Sequence, residues 1–342
     1  MKHPYTSILL PRFLLALFTG LCLSLSVMAQ PLDELRELAD QGDVQAQYKL
    51  AWRYYETQTP DSNPQAAAQW FLKAAEQGYA PAQNMLGVMY EKGTGVTQND
   101  RTAFDWFRQA ALQDDADAQY NLGRMLFTGQ GTTTDYRAAH DWLLKAAEQN
   151  HMQAQYELGI MYRDGEGVEK NNATAIQWIT KAAQQGLPQA QTVLGTSYYS
   201  GEGVPQDHQA ALNWLTKAAE HGEPMAQYNL GGMYFSGQGA PHNLQTGITW
   251  LTKAAEQNFV QAQFALGSIY STGQGVPQDY TAAAAWYHKA AEQGHPNAQY
   301  NLGRMYETAR GVPKDLQQAR YWYGKAAAQG HPKAGQALNM LK

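Results

Sequence analysis

Apolar and small residues fall on a fixed lattice along most of the chain. In Ala118 to Leu126 they stand at i, i+4, i+7 and i+8, and Ala154 to Tyr162 repeats the pattern. That spacing lines one face of a helix. A Gly-x-Gly loop follows, as in Gly165-Glu166-Gly167-Val168, and ends the helix where the chain needs angles that only glycine adopts freely. A second amphipathic segment comes next, as in Asp207 to Gly222, with Ala211, Trp214, Ala218 and Ala219 on its inner face. The unit therefore reads as two antiparallel helices, A and B.

The unit is copied eight times without insertion or deletion. Trp70, Trp106, Trp142, Trp178, Trp214, Trp250, Trp286 and Trp322 are each 36 residues apart. Gln47, Gln83, Gln119, Gln155, Gln191, Gln227, Gln263 and Gln299 keep the same step, and so do seven Leu-Gly pairs from Leu86-Gly87 to Leu302-Gly303. Neither helix can bury its apolar face alone, so each unit must stack on its neighbours in a quasi-one-dimensional array. Ala82, Gly87, Ala103 and Ala110 are small enough for close helix approach, while Trp and Tyr fill the layers between. The invariant Gln predicts a structural role, its amide bonding backbone or another amide.

The segments outside the lattice have their own logic. Lys2 and Arg12 precede an apolar run from Phe13 to Val27, and Val27-Met28-Ala29 forms a small-x-small site before Gln30. This is the pattern of a secretory signal peptide over 1–29, too short to span a bilayer, and it predicts a periplasmic or secreted protein with no membrane span after cleavage. Residues 30–42 align with a lone helix B and 331–342 with a lone helix A, so both predict capping half-units around eight full repeats at 43–330. Two capped ends imply a monomer. Cys22 is the only cysteine, and cleavage removes it, which excludes a disulfide framework and a cysteine-ligated metal.

The motif resembles the Sel1-like repeat family, a relative of the tetratricopeptide repeat. Its elements stand at Ala190, Leu194, Gly195, Tyr198, Gly201, Gly203, Val204, Ala211, Trp214, Ala218, Ala219 and Gly222. The resemblance implies an all-α, right-handed α-solenoid superhelix of helix-turn-helix repeats and an adaptor or scaffold role. Departures are local: Thr57-Gln58-Thr59-Pro60 replaces the first glycine loop, and Thr132, Ala240 and Ala309 replace single loop residues.

Candidate chemistry for an enzyme is missing. The nine His residues form no His-Glu-x-x-His motif, no Gly-x-Ser-x-Gly is present, and no Ser stands three residues before any Lys. Seven times the residue at that place is Trp. No cofactor or metal is therefore expected. The net charge of −5, unpatterned along the chain, disfavours nucleic acid as a partner.

Positions that vary between copies are free of the duty to maintain the fold. On helix A three such columns share one stripe, because spacings of four and three residues meet on a helix face. The first runs Tyr48, Asn84, Tyr120, Tyr156, Thr192, Tyr228, Phe264, Tyr300; the second contains Arg124, Ile160 and Arg304; the third contains Phe127, Arg163, Tyr199 and Phe235. Tyr, Trp and Arg anchor protein interfaces. Tyr120, Arg124, Phe127, Tyr156, Ile160, Arg163, Tyr199, Tyr228, Phe235 and Arg304 are accordingly the candidate partner-binding residues; the resemblance to related helical repeats implies that helix A lines a concave groove, here for a protein or extended peptide from the cell envelope or a host. The Tyr column also reads as core packed against the next unit. Glycan strands such as peptidoglycan, which stack on aromatic faces, are the alternative ligand, and a penicillin-recognising enzyme is a more distant one.

Overall fold

A computed structural model of the chain describes residues 31–56 and 60–341; the signal-peptide segment and the Thr57-Gln58-Thr59 departure lie outside the described residues. Among the described residues there are eighteen α-helices and no strand. α1 (Leu32–Asp40) and α18 (Ala334–Met340) flank the array. The A helices are α2 (Val44–Tyr55), α4 (Ala80–Lys92), α6 (Ala116–Thr128), α8 (Met152–Asp164), α10 (Pro188–Ser200), α12 (Pro224–Ser236), α14 (Val260–Thr272) and α16 (Pro296–Thr308). The B helices are α3 (Pro64–Glu76), α5 (Asp100–Ala111), α7 (Tyr136–Glu148), α9 (Asn172–Gln184), α11 (His208–Glu220), α13 (Leu244–Glu256), α15 (Tyr280–Glu292) and α17 (Leu316–Ala328).

Start and stop signals recur at the same register as the core. Every B helix opens on an Asn or Asp whose side chain accepts a backbone N–H of the first turn: Asn63, Asn99, Asp135, Asn171, Asp207, Asn243, Asp279 and Asp315. Each such cap stabilises its helix by about 1 kcal/mol. Every A helix but α2 ends on a left-handed residue, glycine at Gly93, Gly129, Gly165, Gly201, Gly237 and Gly273, and alanine at Ala309 with φ 57°.

The contacts group the chain into two compact units, one running to Ala154 with residues 166–168, the other comprising 155–165 and 169–342. In the first, Phe71, Leu86, Met89, Phe107, Leu122, Met125 and Leu143 are buried between A and B helices. In the second, Leu158, Met161, Ile179, Leu194, Leu215, Leu230, Leu266 and Tyr323 do the same. Full burial of one such side chain contributes roughly 1.5–3 kcal/mol. The Leu-Gly pair explains how close the helices come: a Cβ on Gly267 would fall 2.5 Å from Cδ1 of Tyr287 on the following B helix.

The buried Gln column builds a side-chain ladder. Nε2 of Gln47, Gln83, Gln119, Gln191, Gln227, Gln263 and Gln299 donates to the carbonyl of an Ala at the end of the preceding B helix, at 3.0–3.4 Å. Oε1 of Gln47, Gln83, Gln119, Gln155, Gln227, Gln263 and Gln299 accepts from Nε2 of Gln77, Gln113, Gln149, Gln185, Gln257, Gln293 and Gln329 at 2.7–2.9 Å. At Gln83, Gln119, Gln227, Gln263 and Gln299 the two bonds together tie the ends of successive B helices through the start of the A helix between them. A buried amide left unpaired would cost about 1–3 kcal/mol, which accounts for an amide recurring at both places.

Candidate interaction surface

The three variable columns of helix A occupy different environments. The first is largely packing. Tyr120 is 8% exposed, and its ring stacks on His151 at the start of the next A helix, 4.5 Å between centroids. Phe264 stacks on His295 and Tyr300 on His331 in the same way, both at 4.4 Å. Tyr228 packs on Phe259 at 5.5 Å. Burial pushes the Tyr156 phenol up to about 12. At His151, Phe259 and His295 the residue just before an A helix covers the aromatic of the preceding A helix, so Tyr120 serves the fold and presents little surface to a partner. Here the core reading of the Tyr column holds.

The second and third columns are more open. Arg124 is the exception, spent within the fold: its Nη2 lies 2.5 Å from Glu91 Oε1 on α4, and both side chains are mostly shielded. Phe127 is half-buried and meets Tyr136 edge-on at 5.1 Å. Ile160 is half-buried. Arg163 is half-buried and holds Asp164 with two hydrogen bonds, 2.8 and 2.9 Å, which with the Asp164 charge raise its pKa further. It also edges a depression of about 10 Å³ with Asn172, Ile176, Val193, Ser197 and Glu202, room for a water molecule and not for a ligand. The Tyr199 hydroxyl donates to Gln238 while its ring leans on His208 at 5.1 Å. Phe235 is half-buried against Gly247, where a Cβ would fall 2.5 Å from its ring. Arg304 is exposed, its guanidinium 6.0 Å from the Tyr300 ring centroid. Tyr120, Arg124 and Phe127 belong to the first compact unit and the other seven to the second.

Sequence reasoning passed over a second regular surface. On the B helices Lys Nζ lies over the ring of the Trp three residues earlier: 3.6 Å from the centroid at Lys73/Trp70, 4.2 Å at Lys145/Trp142, 3.9 Å at Lys181/Trp178, 4.5 Å at Lys217/Trp214, 4.1 Å at Lys253/Trp250 and 4.3 Å at Lys289/Trp286. The Trp-x-x-Lys spacing that excluded a Ser-x-x-Lys motif is the signal for it, since residues three apart share a helix face.

Among the described residues no group of three or more His, Cys, Asp or Glu is placed to hold a metal ion, and no helix is long and apolar enough to cross a membrane.

The Sel1 repeat profile matches residues 44–79, 80–115, 116–151, 153–187, 188–223, 224–259, 260–295 and 296–331. Two solved structures are similar over nearly the whole chain. One is a protective antigen of uropathogenic Escherichia coli with an SLR fold: 35% identical, TM-score 0.80, covering 91% of this chain and 67% of that one. The other is a Sel1 repeat protein from Oxalobacter formigenes: 34% identical, TM-score 0.71, covering 94% of this chain and 93% of that one. Comparison with curated proteins finds no match. Sel1 repeats are generally protein-interaction scaffolds and typically not enzymes. Eight consecutive repeats and two relatives above 30% identity lead to one conclusion: the chain belongs to the Sel1 repeat family.

Proposed function

We propose that this protein is a non-enzymatic scaffold, exported through its leader to the periplasm or beyond, that holds an extended segment of a protein partner against the open face of its A helices. One observation carries the reading. Positions constant from repeat to repeat, such as Gln119, Leu122 and Gly123, are buried, whereas Phe127, Ile160, Arg163, Tyr199, Phe235 and Arg304 stand at positions that vary and keep solvent access. Variation is concentrated where the fold does not require one residue. The chemistry left there is aromatic, aliphatic and guanidinium, the set that anchors interfaces. A preformed helical face adds little ordering cost of its own when an extended segment docks.

Photo-crosslinking in the native cell tests this. A crosslinking residue replaces Phe127 in one protein and Arg304 in a second; the control replaces Gln69, exposed on α3 beside Trp70. A discrete protein adduct from either face position, absent from the control, is the expected result. Equal labelling from all three overturns the face assignment. Absence of adducts together with sedimentation of the purified protein on cell-wall sacculi would replace the protein partner with a glycan strand. Mass measurement of the mature chain tests export, with Gln30 expected as its first residue.

A further inference from the structure

The amide ladder is interrupted once, in the fifth repeat. Where the other repeats carry Gln at the end of helix B, α11 ends on His221. The His221 ring folds back on its own helix, with Nδ1 donating to the Lys217 carbonyl at 2.7 Å. Gln191, 4% exposed, keeps its bond to the Ala183 carbonyl at 3.2 Å, but its Oε1 is buried with no hydrogen-bond partner. The end of α11 has therefore lost the side-chain tie to the start of α10 that the corresponding helix ends possess.

A second feature lies directly beyond it. α12 contains Gly231-Gly232 in its middle turn. Gly231 is required by packing, since a Cβ there would fall 2.8 Å from Cγ of Leu251, whereas a Cβ on Gly232 would meet no heavy atom within 4 Å. The same position holds Val88, Arg124, Ile160, Thr196, Ser268 or Arg304 in neighbouring repeats. Paired helical glycines weaken the backbone ladder and are places where helices bend. Glycine at 232 thus loosens α12 without serving its packing.

We propose that the junction between the fifth and sixth repeats is a built-in soft joint, at which the end of α11 and the middle of α12 open before the neighbouring repeats do. The missing rung and the unrequired glycine act on adjacent segments and in the same direction. Local opening free energies vary along a repeat array because each repeat is held only by its neighbours.

Native-state hydrogen exchange of the full chain, read by mass spectrometry, tests the joint. Residues 208–236 are compared with 244–272, the same helices one repeat later. Opening of the first span is expected to be at least tenfold faster. His221→Gln restores the donor to Gln191 and slows that opening about fivefold, the worth of one net hydrogen bond. Gly232→Ala slows it by a similar factor through helix propensity. In the reverse direction, Gln257→His removes the donor to Gln227 and speeds opening of 244–272 about fivefold. Equal protection of the two spans overturns the proposal. So does a 208–236 span whose rate is unchanged in both stabilising variants, or a 244–272 span indifferent to Gln257→His.

Discussion

Replacing Ala309 by glycine should stabilise the protein, although it removes a methyl group. Ala309 ends α16 at φ 57°, the place where six other A helices end on glycine. A left-handed conformation costs an L-residue with a Cβ roughly 1–2 kcal/mol. Glycine gains more freedom in the unfolded chain, which returns about 0.4–1 kcal/mol of that relief. Ala309 is exposed, so the substitution forfeits no buried surface. The expected net gain for Ala309→Gly is about 0.5–1 kcal/mol. The reciprocal change, Gly273→Ala, imposes the same strain at φ 74° and should cost a similar amount. Urea unfolding followed by far-ultraviolet circular dichroism reads both, with the slope checked to remain constant so that a midpoint shift reports stability. A lower midpoint for Ala309→Gly, or an unchanged one for Gly273→Ala, would refute the strain argument.

Two further outcomes follow from contacts already described. Gly267→Ala places a methyl 2.5 Å from the buried ring of Tyr287, and overpacking of this kind should lower stability by roughly 1–3 kcal/mol in thermal unfolding; a wild-type melting temperature would show that the helices need not approach so closely. His295 caps α16 by accepting the Ala298 N–H on Nδ1, which only the neutral ring can do, and burial lowers its pKa below the usual histidine value. Its contribution is therefore present above about pH 6.5 and lost as pH falls through the lowered folded value. His295→Asn, whose cap is indifferent to pH, should flatten the stability change between pH 7 and pH 5, and an unchanged profile would remove His295 from the explanation.

Most of the fold was legible because each repeat restates it. A single Trp or Leu-Gly pair says little, but the lattice from Trp70 to Trp322 fixes period, register and helix pairing at once. The structural role of the invariant Gln was legible for the same reason. Its partner was not, because Gln77 and its equivalents lie thirty residues further on in a turn, where glutamine is unremarkable. The candidate face was harder to read. Helical spacing places Tyr120 on the variable stripe, but only the packed structure brings His151 over its ring. Arg124 is likewise a plausible anchor until Glu91, on a different helix, is seen beside it. Both cases turn on contacts between repeats, which the periodicity within one repeat does not encode.

The amide ladder bears on how such a chain can change length. At Gln83, Gln119, Gln227, Gln263 and Gln299 the acceptor meets a donor thirty residues downstream while its own amide reaches back eight residues. Outside the fifth repeat, where His221 replaces the Gln donor, excising or duplicating 36 residues brings together ends that already carry the matching Gln, Ala carbonyl and Asn or Asp cap. Unequal recombination between the coding segments of two repeats would thus yield a protein that keeps its ladder pairings in register, and the number of repeats can drift by whole units. A loss within the ladder that is not a whole multiple of 36 residues would misalign donor and acceptor at the seam. The ladder filters insertions and deletions by size, and the uninterrupted spacing of the eight repeats is the record such a filter would leave.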